Sequence, residues 1–200
     1  MRSSKREFLC SFIGSKSRGN QWTKDLRIEL SAQCERAGNG TCKQVMCGGN
    51  WLPNTIDCTK RPDQLTSLFL SSTFCFQPPG DTPTRKSFFD SLIAGCIPVL
   101  FSKSSAYDQY LWHLPQNGSL YSVLFDGDDV INHRVDILDT LTHIANDAQR
   151  LRGLQEEIVR MIPHLVYALP HNNISHPNFR DAVDISIDNL LHESSGVKPI

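Results

Sequence analysis

The stretch FCFQPPGDTPTRKSFFDSLIAGCIPVLF, residues 74–101, decides how this chain is read. It begins inside an apolar run, residues 68–76, whose length and aromatic content predict a buried strand. Pro78, Pro79 and Gly80 then end it. Thr82 is placed to cap a helix, and Pro83 suits a first helical position, where its missing N–H would have had no partner. The helix is expected to run to Ala94 and to stop at Gly95 as a C′ glycine. Residues 97–101 are apolar enough for the next buried strand. Strand, tight loop, helix and strand make one βαβ unit.

Ligands of such units sit at the carboxyl ends of the strands, against a helix N-terminus whose free N–H groups and dipole favour an anion. Here that terminus carries Arg85 and Lys86, so a phosphate-bearing ligand is expected. Gly80, Thr82, Thr84 and Ser87 surround the same position and complete the candidate set. One turn on, Asp90 shares a face with Lys86 at i,i+4 and with Ser87 at i,i+3, while Phe88, Phe89, Leu92 and Ile93 take the core side. On spacing alone Lys86 and Asp90 read as a solvated helical pair worth roughly 0.2–0.5 kcal/mol. The competing reading has the Asp90 carboxylate accepting hydrogen bonds from a ribose one turn behind a diphosphate.

The same string, followed by SSAYDQYLWHLP (residues 104–115) and YSVLF (residues 121–125), resembles the exostosin-like glycosyltransferases, above all the plant branch that contains the xyloglucan galactosyltransferases. The likeness runs from about residue 6 to residue 191. It implies a two-domain GT-B enzyme whose carboxyl-terminal, Rossmann-like half binds a UDP-sugar and transfers the sugar with inversion, with no cofactor and no obligatory metal. The family's acidic residue in the helix before the G-C-I-P-V strand falls on Asp90, which shifts the balance towards the ribose reading. In such a domain the loop after the first strand faces the donor phosphates, which makes Arg18 a candidate contact beside the alternative of ordinary loop charge.

The resemblance also implies galactose as the sugar, a cell-wall polysaccharide such as xyloglucan as the acceptor, and the Golgi lumen as the place. Family members carry an amino-terminal anchor, a stem and an acceptor-side half, and this sequence is expected to correspond to the donor half without them; the catalytic base would belong to the acceptor half, so none is named. Two other readings stand beside the transferase. One is a non-catalytic nucleotide-sugar-binding or partner-binding remnant that associates with a full-length relative. The other is a disulfide-stapled structural protein with no ligand.

Two hundred residues suffice for one well-buried α/β domain. A net charge of −1 with evenly spread sign argues against a nucleic-acid partner, which demands a concentrated positive surface. The longest apolar run, residues 92–101, falls short of the ~20 residues that span a bilayer, so no membrane-spanning segment is predicted. Seven cysteines are many for a chain kept in a reducing compartment. Cys34, Cys42, Cys47 and Cys58 have gaps of seven, four and ten residues, which lack paired zinc knuckles and favour two bridges of open pairing. Cys75 and Cys96 read as small core residues. Sequons at Asn39, Asn117 and Asn173 are compatible with a luminal protein.

Elsewhere a strand is predicted at residues 8–13 ending at Gly14, then a polar loop at 15–20 and a helix at 22–34 with Leu26, Leu30 and Cys34 on one face. Residues 35–60 read as a cysteine-rich loop and 61–68 as a short helix. The aromatic segment 104–115 suits either a wall beside a sugar or base, or a cover for the sheet edge; His113 reads as a structural histidine. Residues 122–125 form another strand, and Asp126-Gly127-Asp128-Asp129 a turn into a helix. Helices follow at 135–145 and 148–162, halted by Pro163. A loop at 170–177 leads to a closing helix at 179–192 that buries Val183, Ile187 and Leu190 or their neighbours. The ends, 1–5 and 194–200, are expected to be disordered. The fold class is α/β: a Rossmann-like parallel sheet with helices on both faces, in a single domain.

Overall fold

A computed structural model describes residues 6–48, 53–167 and 180–195. Five parallel strands, β1 (Phe8–Gly14), β2 (Cys42–Met46), β3 (Ser72–Gln77), β4 (Ile97–Leu100) and β5 (Val123–Leu124), form one sheet in the order β2-β1-β3-β4-β5. The helices are α1 (Gln21–Ala37), α2 (Pro62–Ser71), α3 (Lys86–Ile93), α4 (Gly127–Ile131), α5 (Ile137–Asn146), α6 (Ala148–Met161) and α7 (Ala182–Ser195).

Period-two alternation along the strands separates two apolar layers. Cys10 and Phe12 of β1 and Phe74 and Phe76 of β3 join Leu26 and Leu30 of α1, Leu141 of α5 and Ile158 of α6 in the larger cluster. Ile13 and Cys75, one residue out of phase, pack with Leu68 and Phe69 of α2 in the smaller one. Helices therefore cover both faces, as expected of a parallel sheet.

The apolar run 68–76 divides between two elements. Leu68 and Phe69 lie in the last turn of α2, buried as helical side chains, and β3 begins only at Ser72, whose hydroxyl donates to the Leu68 carbonyl at 2.8 Å. The start of α3 also differs from expectation. Arg85 is extended, no side chain caps the helix, and Thr82 instead donates to the Thr84 carbonyl at 3.1 Å, so the Thr82-Pro83-Thr84 segment is a turn of its own. The far end agrees: Gly95 has φ +68°, its N–H bonds to Leu92 O and the Cys96 N–H to Ser91 O, the paired bonds of a Schellman ending.

The cysteine-rich segment is more ordered than its composition suggests. α1 continues through Ala37, and β2 pairs with β1 as the edge strand. Cys34 is bonded to Cys42, and Cys47 to Cys58. A third bridge joins Cys75 and Cys96, which are fully buried, as core residues are, but are not free thiols. Neighbouring strands bring them together: Cys75 sits opposite Pro98 in the β3–β4 register, and Cys96 directly precedes β4. Cys10 is the remaining thiol, buried in β1, and burial pushes it up to about 12. A thiol reagent is therefore expected to label no cysteine in the folded, unreduced chain and one after denaturation; labelling in the folded state would show that β1 opens readily.

α7 reaches Ser195, so residues 194 and 195 are helical rather than disordered. It buries Ile185, while Val183, Ile187 and Leu190 are each about half exposed. Its docking is fixed from the other side: the His113 ring lies 3.1 Å from Ala182 O and 3.3 Å from Ser186 Oγ, a structural role for that histidine. Asp126 caps α4 by accepting from the Asp128 N–H. The Gly49 to Leu52 part of the glycine-rich segment, the loop 170–177, the sequon at Asn173, the first residue of the predicted closing helix, Phe179, and the ends 1–5 and 196–200 lie outside the described residues. Among the described residues no helix is long and apolar enough to cross a membrane.

Candidate functional site

β1 and β3 are neighbours, yet their outgoing connections diverge. β1 leaves through α1 towards β2 at one edge, and β3 leaves through α3 towards β4 on the other side. At such a switch point two loops part over the carboxyl ends of the strands and a crevice opens between them. Here the loops are residues 15–20 and 78–85.

Arg27 forms the floor of that crevice. It projects from α1, is fully buried, and its guanidinium donates from Nη1 to Ser15 O at 2.9 Å, from Nε to Pro79 O at 2.9 Å and from Nη2 to Pro78 O at 3.1 Å. The planar five-donor fork is suited to collecting carbonyls from two loops at once. Burial pulls its pKa down to about 9, with Arg85 adding to the fall and Asp81 opposing it. The group is still charged at neutral pH.

The loops also meet backbone to backbone. Gly19 has φ +84°, a conformation that side chains resist, and a Cβ there would stand 2.7 Å from Gly80 O. Its N–H donates to Asp81 Oδ1 at 3.0 Å, and Asp81 Oδ2 lies 3.8 Å from Arg18 Nη1. A Cβ on Gly80 would come within 2.6 Å of Arg85 Nη1, so glycine there leaves the room that Arg85 occupies. Asn20 secures the start of α1 by accepting from Thr23 N at 2.9 Å.

Between the loops lies an open cleft of about 310 Å³, lined by Arg18, Asp81, Thr82, Thr84, Arg85 and Lys86. The fold thus gathers Arg18, Thr82, Thr84, Arg85 and Lys86, with Gly80 shaping the wall. Ser87 and Asp90 do not line it. The Ser87 hydroxyl donates to Gln77 Oε1 at 2.7 Å, and Lys86 Nζ lies 2.6 and 2.7 Å from the two Asp90 oxygens, which is the i,i+4 pair that the spacing foretold. Neither Arg27 nor Asp81 was among the residues singled out from the sequence.

Electrostatically the crevice is positive. Lys16, in the same loop as Arg18, is paired with Glu35, and Lys86 with Asp90. Among the described residues, what remains there is Arg18, Arg27 and Arg85 against the one lining carboxylate, Asp81. Burial lowers the Arg85 pKa, Asp81 raises it and Arg18 lowers it, so these charges sense one another across the cleft. No side chain caps α3, and its first-turn N–H groups add to the same positive end.

The aromatic segment contributes to the core more than to the cleft. Tyr110 meets Phe89 edge to face at 4.9 Å, and the Tyr107 hydroxyl lies 2.8 Å from Ser122 Oγ. Tyr110 and His113 instead border a separate cavity of about 440 Å³ with Phe89, His164 and Tyr167.

The profile of the Exostosin GT47 domain matches residues 1–141, which contain the whole crevice. Among Arabidopsis thaliana proteins, the chain is 38% identical over 200 residues to "Probable xyloglucan galactosyltransferase GT15", covering 99% of this chain and 40% of that protein. It is 36% identical over 191 residues to xyloglucan galactosyltransferase MUR3, covering 96% of this chain and 29% of that one. With xyloglucan-specific galacturonosyltransferase 1 the identity is 40% over 189 residues, 93% of this chain and 26% of the relative. The chain spans less than half the length of each of these relatives.

Proposed function

The chain belongs to the exostosin GT47 family, and from that membership and the charge of its crevice we propose that it forms the donor-binding part of a glycosyltransferase acting on xyloglucan. The donor is a UDP-sugar, and galactose is the sugar that most of the cited relatives' names suggest. One observation carries the reading: at the β1/β3 switch point Arg18 and Arg85 line the cleft and the buried Arg27 holds its two loops, against the one lining carboxylate, Asp81, which leaves an excess of two positive charges. A diphosphate diester brings about two negative charges at neutral pH. The match is one of sign, magnitude and place.

In this reading Arg18 and Arg85 contact the phosphates together with the Thr82 and Thr84 hydroxyls and the first-turn amides of α3. Lys86 leaves Asp90 for a phosphate oxygen, which frees the Asp90 carboxylate to accept from the ribose hydroxyls, with Ser87 and Gly80 beside them. Cleavage of the bond between sugar and phosphate places negative charge on the departing diphosphate. Fixed cations stabilise it without rearranging at that moment. These arginines, rather than a divalent cation, carry that charge. The acceptor polysaccharide and the base that deprotonates its hydroxyl belong to another part of the full enzyme, and inversion follows from attack on the face opposite the diphosphate. Three disulfides suit an oxidising compartment such as the Golgi lumen.

Calorimetric titration of the folded chain with UDP tests this. Binding is expected, unaffected by EDTA, and about tenfold weaker in Arg85→Ala, a loss of about 1.4 kcal/mol. Asp90→Ala is expected to weaken UDP relative to inorganic pyrophosphate, which has no ribose to lose and gains from the release of Lys86. Absence of heat with the intact chain, or equal affinity in Arg85→Ala, would remove the basis of the reading.

A further inference from the structure

The mechanism above leaves Asp81 without a task, although among the described residues it is the one anionic side chain that lines the cleft. Its surroundings are those of a phosphate. One carboxylate oxygen takes the backbone N–H of left-handed Gly19 at 3.0 Å, and the other faces the Arg18 guanidinium at 3.8 Å. Both Asp81 and Arg18 are mostly exposed, so the ion pair is screened and readily exchanged. The same carboxylate also acts electrostatically on Arg27 and Arg85.

We propose that Asp81 is a charge-selecting residue of this site: it holds the anion seat in the free protein and opposes retention of the more highly charged product. The inference rests on the nucleotide-sugar reading and extends it to product release. A UDP-sugar carries about two negative charges at the diphosphate, whereas the UDP left after transfer carries roughly one more, because its terminal phosphate has lost the sugar ester and can ionise a second time. Three arginines alone would favour the product over the donor and keep the site occupied. When Arg18 turns from Asp81 to the phosphates, the Gly19 N–H keeps the carboxylate at the cleft, where it repels the added charge of the product more than it repels the donor, because nearby like charges interact appreciably even at a solvated surface.

Asn at this position is nearly isosteric, keeps an oxygen for the Gly19 N–H and removes only the charge, whereas Ala removes both. UDP and UDP-galactose are titrated separately into the intact chain, Asp81→Asn and Asp81→Ala, after thermal melting shows that each is folded. Asp81→Asn is expected to bind both nucleotides more tightly, with a gain about threefold larger for UDP than for UDP-galactose, and the difference is expected to shrink at high salt. Equal gains for the two nucleotides, or no gain, overturn the proposal. If Asp81 merely staples the loops, Asp81→Asn behaves as the native chain and only Asp81→Ala weakens binding, which also overturns it. Failure of the intact chain to bind UDP at all is a different result, and it sinks the nucleotide reading itself along with this extension.

Discussion

Replacing Arg27 by methionine is expected to lower the stability of the domain by about 3–5 kcal/mol and to weaken UDP binding by about a hundredfold in the molecules that remain folded. Two opposed effects decide the size. Burying a guanidinium costs several kcal/mol in desolvation, and methionine relieves that cost. Against it, the carbonyls of Ser15, Pro78 and Pro79 lose their donor together. Each buried acceptor left unmet costs about 1–3 kcal/mol, and bonds from a charged donor lie at the upper end. Two of these carbonyls are buried and the third partly so, and together they outweigh one relieved charge. Binding suffers further because these bonds set the width of the crevice. Arg27→Lys, which restores charge but not the planar fork, is expected to recover only part of either loss. Urea unfolding gives the first quantity and calorimetry the second; an unchanged midpoint and affinity in Arg27→Met would show that the loops hold their places without it.

The reason that Arg27 escapes a reading of the sequence is physical. It stands in α1 between Leu26 and Leu30, where an arginine ordinarily extends to solvent, and two of its acceptors lie more than fifty residues away in a loop of another βαβ unit. That Arg18, Arg85 and Lys86 would meet at one cleft was legible because strand-loop-helix topology alone says which loops stand over the carboxyl ends of the strands. The Lys86 to Asp90 pair was legible because helical spacing is local. Where expectation failed, the deciding partner was distant. Leu68 and Phe69 satisfy a strand as well as a helix until β1 and β3 fix the layer into which they point. β2, with the sequence CKQVM, has little alternation, and its identity comes from pairing with β1 and from the bridges at either end. Thr82 and Pro83 carry a helix-start pattern, yet Arg85 is extended and the helix waits for Lys86, while the residues before it reach across to Gly19 and Arg18.

Removing the Cys75–Cys96 bridge is the other change expected to be large. The half-cystines are 21 residues apart, and closing a loop of that length in the unfolded chain corresponds to about 3 kcal/mol of stability. What the loop contains makes the effect more than global. It runs from β3 through the Pro78 to Arg85 segment and all of α3, and it closes at Cys96, directly after the Schellman ending at Gly95. The bridge therefore ties the far end of α3 to the strand whose other end feeds the site. The Cys75→Ala/Cys96→Ala variant is expected to unfold about 3 kcal/mol more readily in urea and to bind UDP more weakly, because the tip of α3 gains freedom that binding must remove. Cys34→Ala/Cys42→Ala, which opens a loop of eight residues remote from the cleft, is expected to lose somewhat less stability and no affinity. If both pairs lowered UDP affinity equally, the coupling between bridge and cleft would be a consequence of general destabilisation rather than of the path through α3.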